Sequence, residues 1–447
     1  MPKRNFPVIL LTLVIVLFSV NSSVDTEKTA EINDVLSTFH EYKMFNGVVL
    51  IAEGDEIIYN KAFGKANFEW DIPNTTSTRF QIASITKTFT ACLTMQFIEM
   101  GLLNLDDVIT DHLPGYSAQT GDLITIKHLL EQSAGIPDYL NDPDFLKYDA
   151  LLEHDRYELP KNYFSELDLE FEPGTDWNYG NSGYYLLGLI IEKVSGMTYE
   201  QALQKYIIEP SGLSDTGYAS SSEIIDRLAN GYLSSPAGYE RAPSFHSSAG
   251  FSAGMIYSTA PDIFKWSRAL IQGRLFPEGQ LHKMLSHQIE DYGYGIFLGE
   301  QRIGNHTELV MSSFGNMPGY SSHLSYFAES DYTIIIMDNT QQCTNSIFFS
   351  LRDILFQHSA PQIREPGSGI LASIIEDQGV DEAIEYFWEL NETRSGECDF
   401  SINEFMRLSD FYLEREHTET AIQILELAAA VHPNSSMIRG KLSELTE

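Results

Sequence analysis

Apolar residues recur along the chain at two spacings, and each spacing predicts a different kind of element. After Ser84 they follow helical spacing as far as the stop signal Gly101, which predicts a buried helix; the positions are Ile85, Phe89, Cys92, Leu93 and Phe97. Alternating and β-branched runs predict strands over 47–53, 56–64, 294–299, 320–327 and 332–337. Further helices are predicted over 29–42, within 125–137, and over 184–194 and 345–357.

The order of these elements predicts a mixed α+β fold. Gly54-Asp55 joins the first two strands as a two-residue hairpin turn, and the other strands come much later in the chain. The middle of the chain is helical and rich in loops. Hairpin-linked strands with helices inserted between them predict an antiparallel sheet flanked by helices, rather than alternating β-α-β units.

The N-terminus has the pattern of a secretory signal peptide over 1–23. Lys3 and Arg4 precede an apolar stretch over 6–20, which ends at Asn21-Ser22-Ser23. The alternative is an uncleaved membrane anchor, but the apolar stretch is short for one. We therefore expect a periplasmic or secreted protein, with membrane contact only if this segment is retained.

Composition and charge exclude several classes of function. The chain has 447 residues, 43% of them hydrophobic, which is typical of packed globular domains. Its net charge of -35 repels nucleic acids and anionic membrane surfaces. Cys92, Cys343 and Cys398 are scattered without a Cys-x-x-Cys pair, so neither a disulfide framework nor a zinc site is indicated.

Ser84 and Lys87 form the first candidate catalytic pair. Residues three apart share one face of a helix, so a hydroxyl and an amine lie together at the positive end of the helix dipole. Burial of the amine can keep it unprotonated, which makes the pair a nucleophile with its base. The alternative is a capped helix with a surface lysine. The apolar run around Lys87 favours the catalytic interpretation, because burying an amine without a purpose is costly.

Tyr179 and Asn181 form the second candidate pair, in a turn-rich segment before the helix predicted at 184. A buried phenol near an ammonium can serve as general base, and an amide two residues on can hold a lysine and a substrate carbonyl. The alternative is a loop phenol packed on the core, since Tyr139 and Asn141 have the same spacing without such surroundings.

The segment Gly250-Phe251-Ser252-Ala253-Gly254 matches the nucleophile-elbow motif Gly-x-Ser-x-Gly. That elbow requires a strand directly before it and a helix directly after it. No strand pattern precedes this segment, and the next helix is predicted only near Thr259, with Thr259 as its cap and Pro261 in its first turn. We therefore interpret Ser252 as a loop residue.

From about 34 to 357 the chain resembles the β-lactamase-related serine hydrolases, which include class C β-lactamases, D-alanyl-D-alanine carboxypeptidases, D-aminopeptidases and esterases. Ser84-Ile85-Thr86-Lys87 matches the family's Ser-x-x-Lys, and Tyr179-Gly180-Asn181 matches its Tyr-x-Asn. The segments 129–137, 171–175, 181–188 and 253–262 match as well. The resemblance implies an antiparallel sheet with a helical subdomain and an acyl-enzyme mechanism without metal or organic cofactor. Ser84 would attack, Lys87 and Tyr179 would move the proton, and Asn181 would orient the substrate.

The family's third motif, Lys or His, any residue, then Gly, is altered in this chain. Counting back from Pro318-Gly319 places Ser313 where the family has its cation, while Gly315 is retained. The resemblance implies that the backbone N–H of Asn316 joins that of Ser84 as the oxyanion hole. Without the cation we expect a preference for neutral esters or amides over β-lactams and free-carboxylate peptides. The alternative is that Arg302 or His306 on the preceding hairpin supplies the charge.

The C-terminal part is predicted as a separate unit. We expect a hydrolase domain over 24–359, a linker over 360–369 and a tail over 370–447 made of helices only. The runs 380–387, 405–413 and 420–434 resemble halves of tetratricopeptide repeats. Because so few repeats seldom stand alone, the tail is expected to pack on the hydrolase domain. It would be a helical cap or a peptide-docking unit.

These features together predict an exported serine hydrolase that acts on an ester or amide through an acyl-enzyme. Its expected partners are a small-molecule or peptide substrate, with a possible protein contact through the tail. The alternative is a non-catalytic or weakly catalytic penicillin-binding or peptide-binding scaffold on the same fold, whose turnover was lost with the third-motif cation.

Overall fold

The computed structural model describes residues 26–276, 278–286, 289–304, 306–342, 344–356, 362–394 and 396–446. The predicted signal peptide over 1–23 and Cys343 lie outside the described residues. Within the described part of the chain, no helix has both the length and the apolar composition needed to cross a membrane.

The main sheet is antiparallel, as predicted, and has six strands. The strands in the described part of the chain are β1 Gly47–Glu53, β2 Glu56–Ala62, β3 Lys65–Asn67, β4 Ile72–Pro73, β5 Phe80–Gln81, β6 Gly217–Tyr218, β7 Tyr232–Ser235, β8 Gly238–Arg241, β9 Ile256–Ser258, β10 Phe297–Ile303, β11 His306–Met317, β12 Tyr320–Phe327, β13 Tyr332–Asp338, β14 Glu365–Pro366 and β15 Cys398–Asp399. The main sheet has the strand order β10-β11-β12-β13-β1-β2. Strands from both ends of the predicted hydrolase domain meet where β1 pairs with β13, from Gly47 opposite Asp338 to Glu53 opposite Tyr332.

Helices cover both faces of this sheet. The α-helices are α1 Thr26–Glu41, α2 Thr86–Glu99, α3 Ile109–His112, α4 Ala118–Gly121, α5 Ile126–Leu130, α6 Pro143–Lys147, α7 Leu159–Tyr163, α8 Ser182–Ser195, α9 Tyr199–Leu203, α10 Glu209–Ser211, α11 Ser247–Gly254, α12 Ala260–Ile271, α13 Glu278–Met284, α14 Thr344–Leu355, α15 Gly367–Gln378, α16 Val380–Thr393, α17 Ile402–Leu413, α18 Thr418–Val431 and α19 Ser436–Thr446. Because side chains alternate along a strand, Val49 and Ile51 face one layer, formed with α1 and α14. Val48 and Leu50 face the larger core around α2.

The helix α2 runs through the centre of the larger core. Its residues from Thr86 to Phe97 are all buried, so it is surrounded by protein rather than amphipathic. Phe89 stacks on Trp266 of α12, with ring centroids 4.0 Å apart. The helix α2 also packs against α8 and α11. The short helices α3, α6 and α7 add Ile109, Phe145 and Leu159 to the same core.

Most predicted elements occur, with shifted ends. The hairpin β1–β2 turns at Gly54, whose φ of 57° suits glycine. Thr259 caps α12 by accepting a hydrogen bond from the Asp262 backbone N–H at 3.3 Å. The strand predicted at 294 begins only at Phe297, because Gly295, with φ 78°, turns the chain first.

The predicted linker over 360–369 and the prediction of a purely helical tail are both partly wrong. Glu365–Pro366 forms β14, which pairs in parallel with β15 inside the tail, and α15 begins at Gly367. Proline and glycine here end a strand and start a helix, rather than marking a flexible linker. Gly367 is required for close packing, because a Cβ there would collide with the ring of Phe400.

The predicted tail is built around a core of its own and contacts the preceding part of the chain. Helices α15 to α19 enclose the apolar cluster around Phe387, Leu408 and Leu425. Arg407 of α17 donates a hydrogen bond to the Ser234 carbonyl oxygen in β7 at 3.3 Å, and Arg415 pairs with Glu240 in β8. The likeness to tetratricopeptide repeats stays a prediction.

Candidate active site

Ser84 lies in a strained turn at the start of α2. It is the middle residue of a 3-10 turn over Ala83–Ile85, which leads directly into α2 at Thr86. Ala83 has φ 45°, a left-handed conformation that is costly for a residue with a Cβ. Such strain persists only where the surroundings enforce it, and it is common at functional sites.

Lys87 is held in the interior beside Ser84. Its side chain is almost fully buried, with 1% exposure. The amine nitrogen lies 3.1 Å from Ser84 Oγ, 2.7 Å from Asn181 Oδ1 and 3.1 Å from the Ala253 carbonyl oxygen. A capped helix with a surface lysine is therefore the wrong interpretation of this pair, because three oxygen contacts enclose the amine.

The structure brings the predicted Tyr179 and Asn181 to the same amine. The Lys87 nitrogen lies 4.9 Å from the centroid of the Tyr179 ring, which also stacks on Phe297 at 6.1 Å. Asn181 lies immediately before α8, so one helix end fixes its position. The alternative of a phenol simply packed on the core does not account for the contact of this ring with the buried amine.

Asp138 completes the group, and the sequence analysis missed it. Its Oδ2 accepts a hydrogen bond from Asn181 Nδ2 at 2.9 Å, and its Oδ1 accepts one from the Leu140 backbone N–H at 3.2 Å. Burial raises the pKa of the Asp138 carboxyl, while these donors and the nearby Lys87 oppose that rise. Asp138 follows Gly135-Ile136-Pro137 directly, and its position next to the matched segment 129–137 was the available signal.

Strand β11 approaches Ser84 closely at Gly315. A Cβ at Gly315 would collide with the Ile82 carbonyl oxygen and with the Ser322 hydroxyl. That same hydroxyl donates a hydrogen bond of 2.8 Å to the Ile82 carbonyl, which ties β12 to the residue two positions before Ser84. Asn316, the next residue, lines the same cavity as Ser84. Its predicted oxyanion role stays a prediction.

Ser313 is not brought into the cavity. It is 4% exposed, lies opposite Leu324 of β12, and is absent from the cavity wall. Arg302 and His306 cannot supply the charge either, because they lie at the far end of the β10–β11 hairpin. Ser313 lies seven positions after His306, roughly 24 Å along an antiparallel strand. His306 instead lies 2.8 Å from Glu308.

The catalytic cavity opens above Ser84 and has a volume of about 500 Å³. Its polar wall contains Asp138, Asn141, Tyr179, Asn181, Asn316 and Gln341. Its apolar wall contains Leu140, Leu146, Pro243, Phe245, Met255, Met317 and Pro318. Among the described residues that line it, Asp138 is the charged one, and there is no lysine, arginine or histidine.

Ser252 is a structural residue, as its sequence context predicted. It lies inside α11, is fully buried, and its hydroxyl donates a hydrogen bond of 2.8 Å to the Tyr184 carbonyl oxygen of α8. Its neighbours matter for the cavity, because Gly250, Ala253 and Gly254 form part of the wall. The prediction that this segment is a loop is wrong, since Ser247–Gly254 is helical with a kink at Phe251.

The chain matches a known protein family and several solved structures. The Beta-lactamase family matches residues 32–346. Penicillin-binding protein 4* of Bacillus subtilis (strain 168) is 30% identical over 353 residues, which covers 74% of this chain and 76% of that protein. Among solved structures, a penicillin-binding protein from Bacillus halodurans superposes with a TM-score of 0.63 at 28% identity, covering 70% of this chain and 97% of that one. A D-stereospecific amidohydrolase from Streptomyces sp. has the same fold, with a TM-score of 0.62 at 24% identity over 72% of this chain and 98% of that one.

Proposed function

Because the chain belongs to the beta-lactamase family of serine hydrolases, we propose that it hydrolyses an ester or amide through an acyl-enzyme on Ser84. The observation that carries the proposal is the buried amine of Lys87, 3.1 Å from the Ser84 hydroxyl. A nucleophile and its base within hydrogen-bond reach, with the base oriented by further groups, is the arrangement that activates a serine.

In the proposed mechanism Lys87 acts as a neutral amine when it takes the Ser84 proton. A neutral amine has two N–H donors and one lone pair. The Asn181 and Ala253 oxygens accept the two donors, which leaves the lone pair for the Ser84 proton. Ser84 Oγ then attacks the substrate carbonyl while its proton passes to Lys87, with the Tyr179 phenol as a second carrier.

The tetrahedral intermediate needs donors for its oxyanion. We assign this role to the backbone N–H groups of Ser84 and Asn316, two residues that line the same cavity. Collapse of the intermediate returns the proton to the leaving alcohol or amine and leaves the acyl group on Ser84. Water then attacks the acyl carbonyl and gives its proton to the same base. The bond to Ser84 Oγ breaks, Ser84 regains its proton, and the acid is released.

The cavity favours uncharged or cationic substrates over anionic ones. It has a carboxylate but no cation among its described lining residues, and the chain carries a net charge of -35. A charge-assisted hydrogen bond is worth roughly 1.5–3 kcal/mol, and a substrate carboxylate would find no cationic partner for one among these lining residues. Leu146, Phe245 and Met317 offer an apolar surface for the acyl or leaving group. The name of the Streptomyces amidohydrolase fits an amide or ester substrate of this kind.

We propose that the enzyme acts outside the cytoplasm, because the sequence predicts a signal peptide over 1–23.

Active-site labelling tests this proposal. A fluorophosphonate should label the wild type on Ser84, as mapped by peptide mass spectrometry, and Ser84→Ala should abolish both labelling and turnover. Ser252→Ala serves as the control, because that hydroxyl is bonded within the core. Labelling on Ser252 would contradict the assignment of the nucleophile.

The same preparation decides between substrates and between the two functional classes. An uncharged p-nitrophenyl ester and a D-amino-acid amide should be hydrolysed faster than nitrocefin, which carries a carboxylate. Faster hydrolysis of nitrocefin would overturn the substrate class. Labelling of Ser84 without turnover of any of the three would favour the binding-protein alternative.

A further inference from the structure

The side-chain amide of Asn181 lies between two groups of opposite hydrogen-bonding character. Its Oδ1 is 2.7 Å from the Lys87 amine nitrogen, and its Nδ2 donates a hydrogen bond to Asp138 Oδ2 at 2.9 Å. The amine offers N–H donors, whereas a carboxylate only accepts. A reversed amide would set its NH₂ group against the amine and its oxygen against the carboxylate. Only the orientation with the amide oxygen on Lys87 therefore satisfies both neighbours.

Asp138 is itself held in place, so its carboxylate is a fixed acceptor. Its Oδ1 accepts a hydrogen bond from the Leu140 backbone N–H at 3.2 Å, which caps a short 3-10 turn. Ser182, which directly follows the amide residue in the sequence, binds the backbone on both sides of Asp138. The Ser182 hydroxyl donates a hydrogen bond to the Pro137 carbonyl oxygen at 2.7 Å and accepts one from the Tyr139 backbone N–H at 3.3 Å. The carboxylate and the amide are therefore fixed relative to each other by the local backbone.

We propose that Asp138 is a positioning residue for the proposed hydrolysis at Ser84. Its carboxylate fixes the orientation of the Asn181 amide, and the amide oxygen then holds the Lys87 amine, which lies 3.1 Å from the Ser84 hydroxyl. Carboxylate, amide, amine and hydroxyl form one chain of hydrogen bonds, in which the base is oriented by a further group. This inference rests on the proposed function, because it adds a role within the same site.

The variant Asp138→Asn tests this role with little change in side-chain size. One amide oxygen cannot accept from both the Leu140 N–H and Asn181 Nδ2. When it accepts from Leu140, its NH₂ group faces Asn181 and favours the reversed amide there, which turns a donor toward Lys87. We expect kcat on an uncharged p-nitrophenyl ester and the rate of Ser84 labelling by a fluorophosphonate to fall about tenfold to hundredfold, since a displaced catalytic group costs up to about a hundredfold. The KM for the ester should stay within about threefold, because the carboxylate acts on the base rather than on the bound ester.

The variant Asp142→Asn is the matched control. Asp142 is also a capping carboxylate, and its Oδ1 accepts hydrogen bonds from the backbone N–H groups of Asp144 at 2.9 Å and Phe145 at 3.4 Å. It is exposed and does not line the catalytic cavity. The same chemical change there should leave both rates within about twofold, because Asn and Asp cap helices about equally well. Thermal melts show whether each variant is folded, and Asp138→Ala replaces Asp138→Asn if the latter does not fold.

A double-mutant cycle with Asn181→Ala separates this role from a purely structural one. Because Asp138 acts through the amide, adding Asp138→Asn to Asn181→Ala should lower kcat by less than about a further twofold. Losses that multiply, equal rates for the substitutions at Asp138 and Asp142, or a raised KM with unchanged kcat would each overturn the positioning role while leaving the hydrolysis intact. A wild type that is neither labelled on Ser84 nor active on the ester would instead reject the proposed hydrolysis, and the positioning role with it.

Discussion

At the scale of single residues, Tyr179 is the group whose role can be separated from folding. Its ring contacts the Lys87 amine and stacks on Phe297, and a phenylalanine would keep both contacts. Only the phenolic hydroxyl would be lost. We expect Tyr179→Phe to lower kcat by about a hundredfold or more, the usual worth of general acid-base catalysis, with an unchanged melting temperature. Ester hydrolysis measured on both proteins checks this, and equal kcat values would leave the proton transfer to Lys87 alone.

His323 illustrates a buried residue whose effect is on stability. It is fully buried on β12, stacks on Phe348 at 4.2 Å, and its Nε2 lies 2.8 Å from Ser325 Oγ. Burial lowers the pKa of His323 from 6.5 to about 3. The unfolded chain therefore takes up a proton that the folded protein does not, once the pH falls below 6.5.

The sign of this shift predicts acid destabilisation. The contribution of His323 is fully present above pH 6.5 and is lost as the pH falls from 6.5 toward 3, by up to about 1.4 kcal/mol per pH unit. We expect His323→Gln to reduce the dependence of the free energy of unfolding on pH between 6.5 and 4.5. Urea unfolding at three pH values measures it, with the exposed His282→Gln as the control. An unchanged slope would contradict a neutral buried imidazole.

At the scale of elements, the approach of β11 to the start of α2 would position the proposed oxyanion donors. Gly315 allows this approach, because a Cβ there would collide with the backbone at Ile82. Gly315→Ala should therefore push Asn316 away from Ser84. Since a lost oxyanion donor costs about 10²–10³ in kcat, we expect a loss of at least a hundredfold in ester hydrolysis.

Gly299 of β10 provides the matched control for that substitution. It lies in the same sheet, but a Cβ there would meet no atom within 4 Å. Gly299→Ala should leave kcat within about twofold, since an open strand position tolerates alanine. If both variants lost activity equally, a general weakening of the sheet would explain the result, and the specific role of Gly315 would be wrong.

The same elements show what local sequence patterns can and cannot predict. The strands β1, β12 and β13 were predicted because alternation, β-branched residues and the turn at Gly54 act over short distances. The Ser84–Lys87 pair followed from helical spacing. The contact of Lys87 with Asn181, 94 positions away, depends on packing, and only the family resemblance indicated it. Asp138 was missed, and Ser313 does not line the cavity, because neither position follows from local pattern.

At the scale of the whole molecule, the tail is joined to the hydrolase domain through the β7–β8 hairpin. The tail encloses its own apolar core, and the two catalytic-domain cores contain none of its residues. Arg407 donates a hydrogen bond to Ser234 of this hairpin and Arg415 forms an ion pair with Glu240, and both arginine side chains are about one-third exposed. Exposed ion pairs contribute little, typically about 0–1 kcal/mol each, so the hydrolase domain does not depend on them to fold.

This arrangement predicts the effect of removing the tail. A chain ending at 364 loses β14 with the rest of the tail, and its melting temperature should fall by about 1–3 °C, while its kcat/KM on a small ester stays within about twofold. The variant Arg407→Ala, which keeps the tail, should produce a smaller shift in melting temperature.

The chain after β8 leads to Pro243 and Phe245 in the catalytic cavity. A loss above tenfold on the small ester would therefore mean that the tail shapes the active site through this hairpin. Unchanged melting with loss of activity only on a long peptide would instead favour peptide docking on the tail.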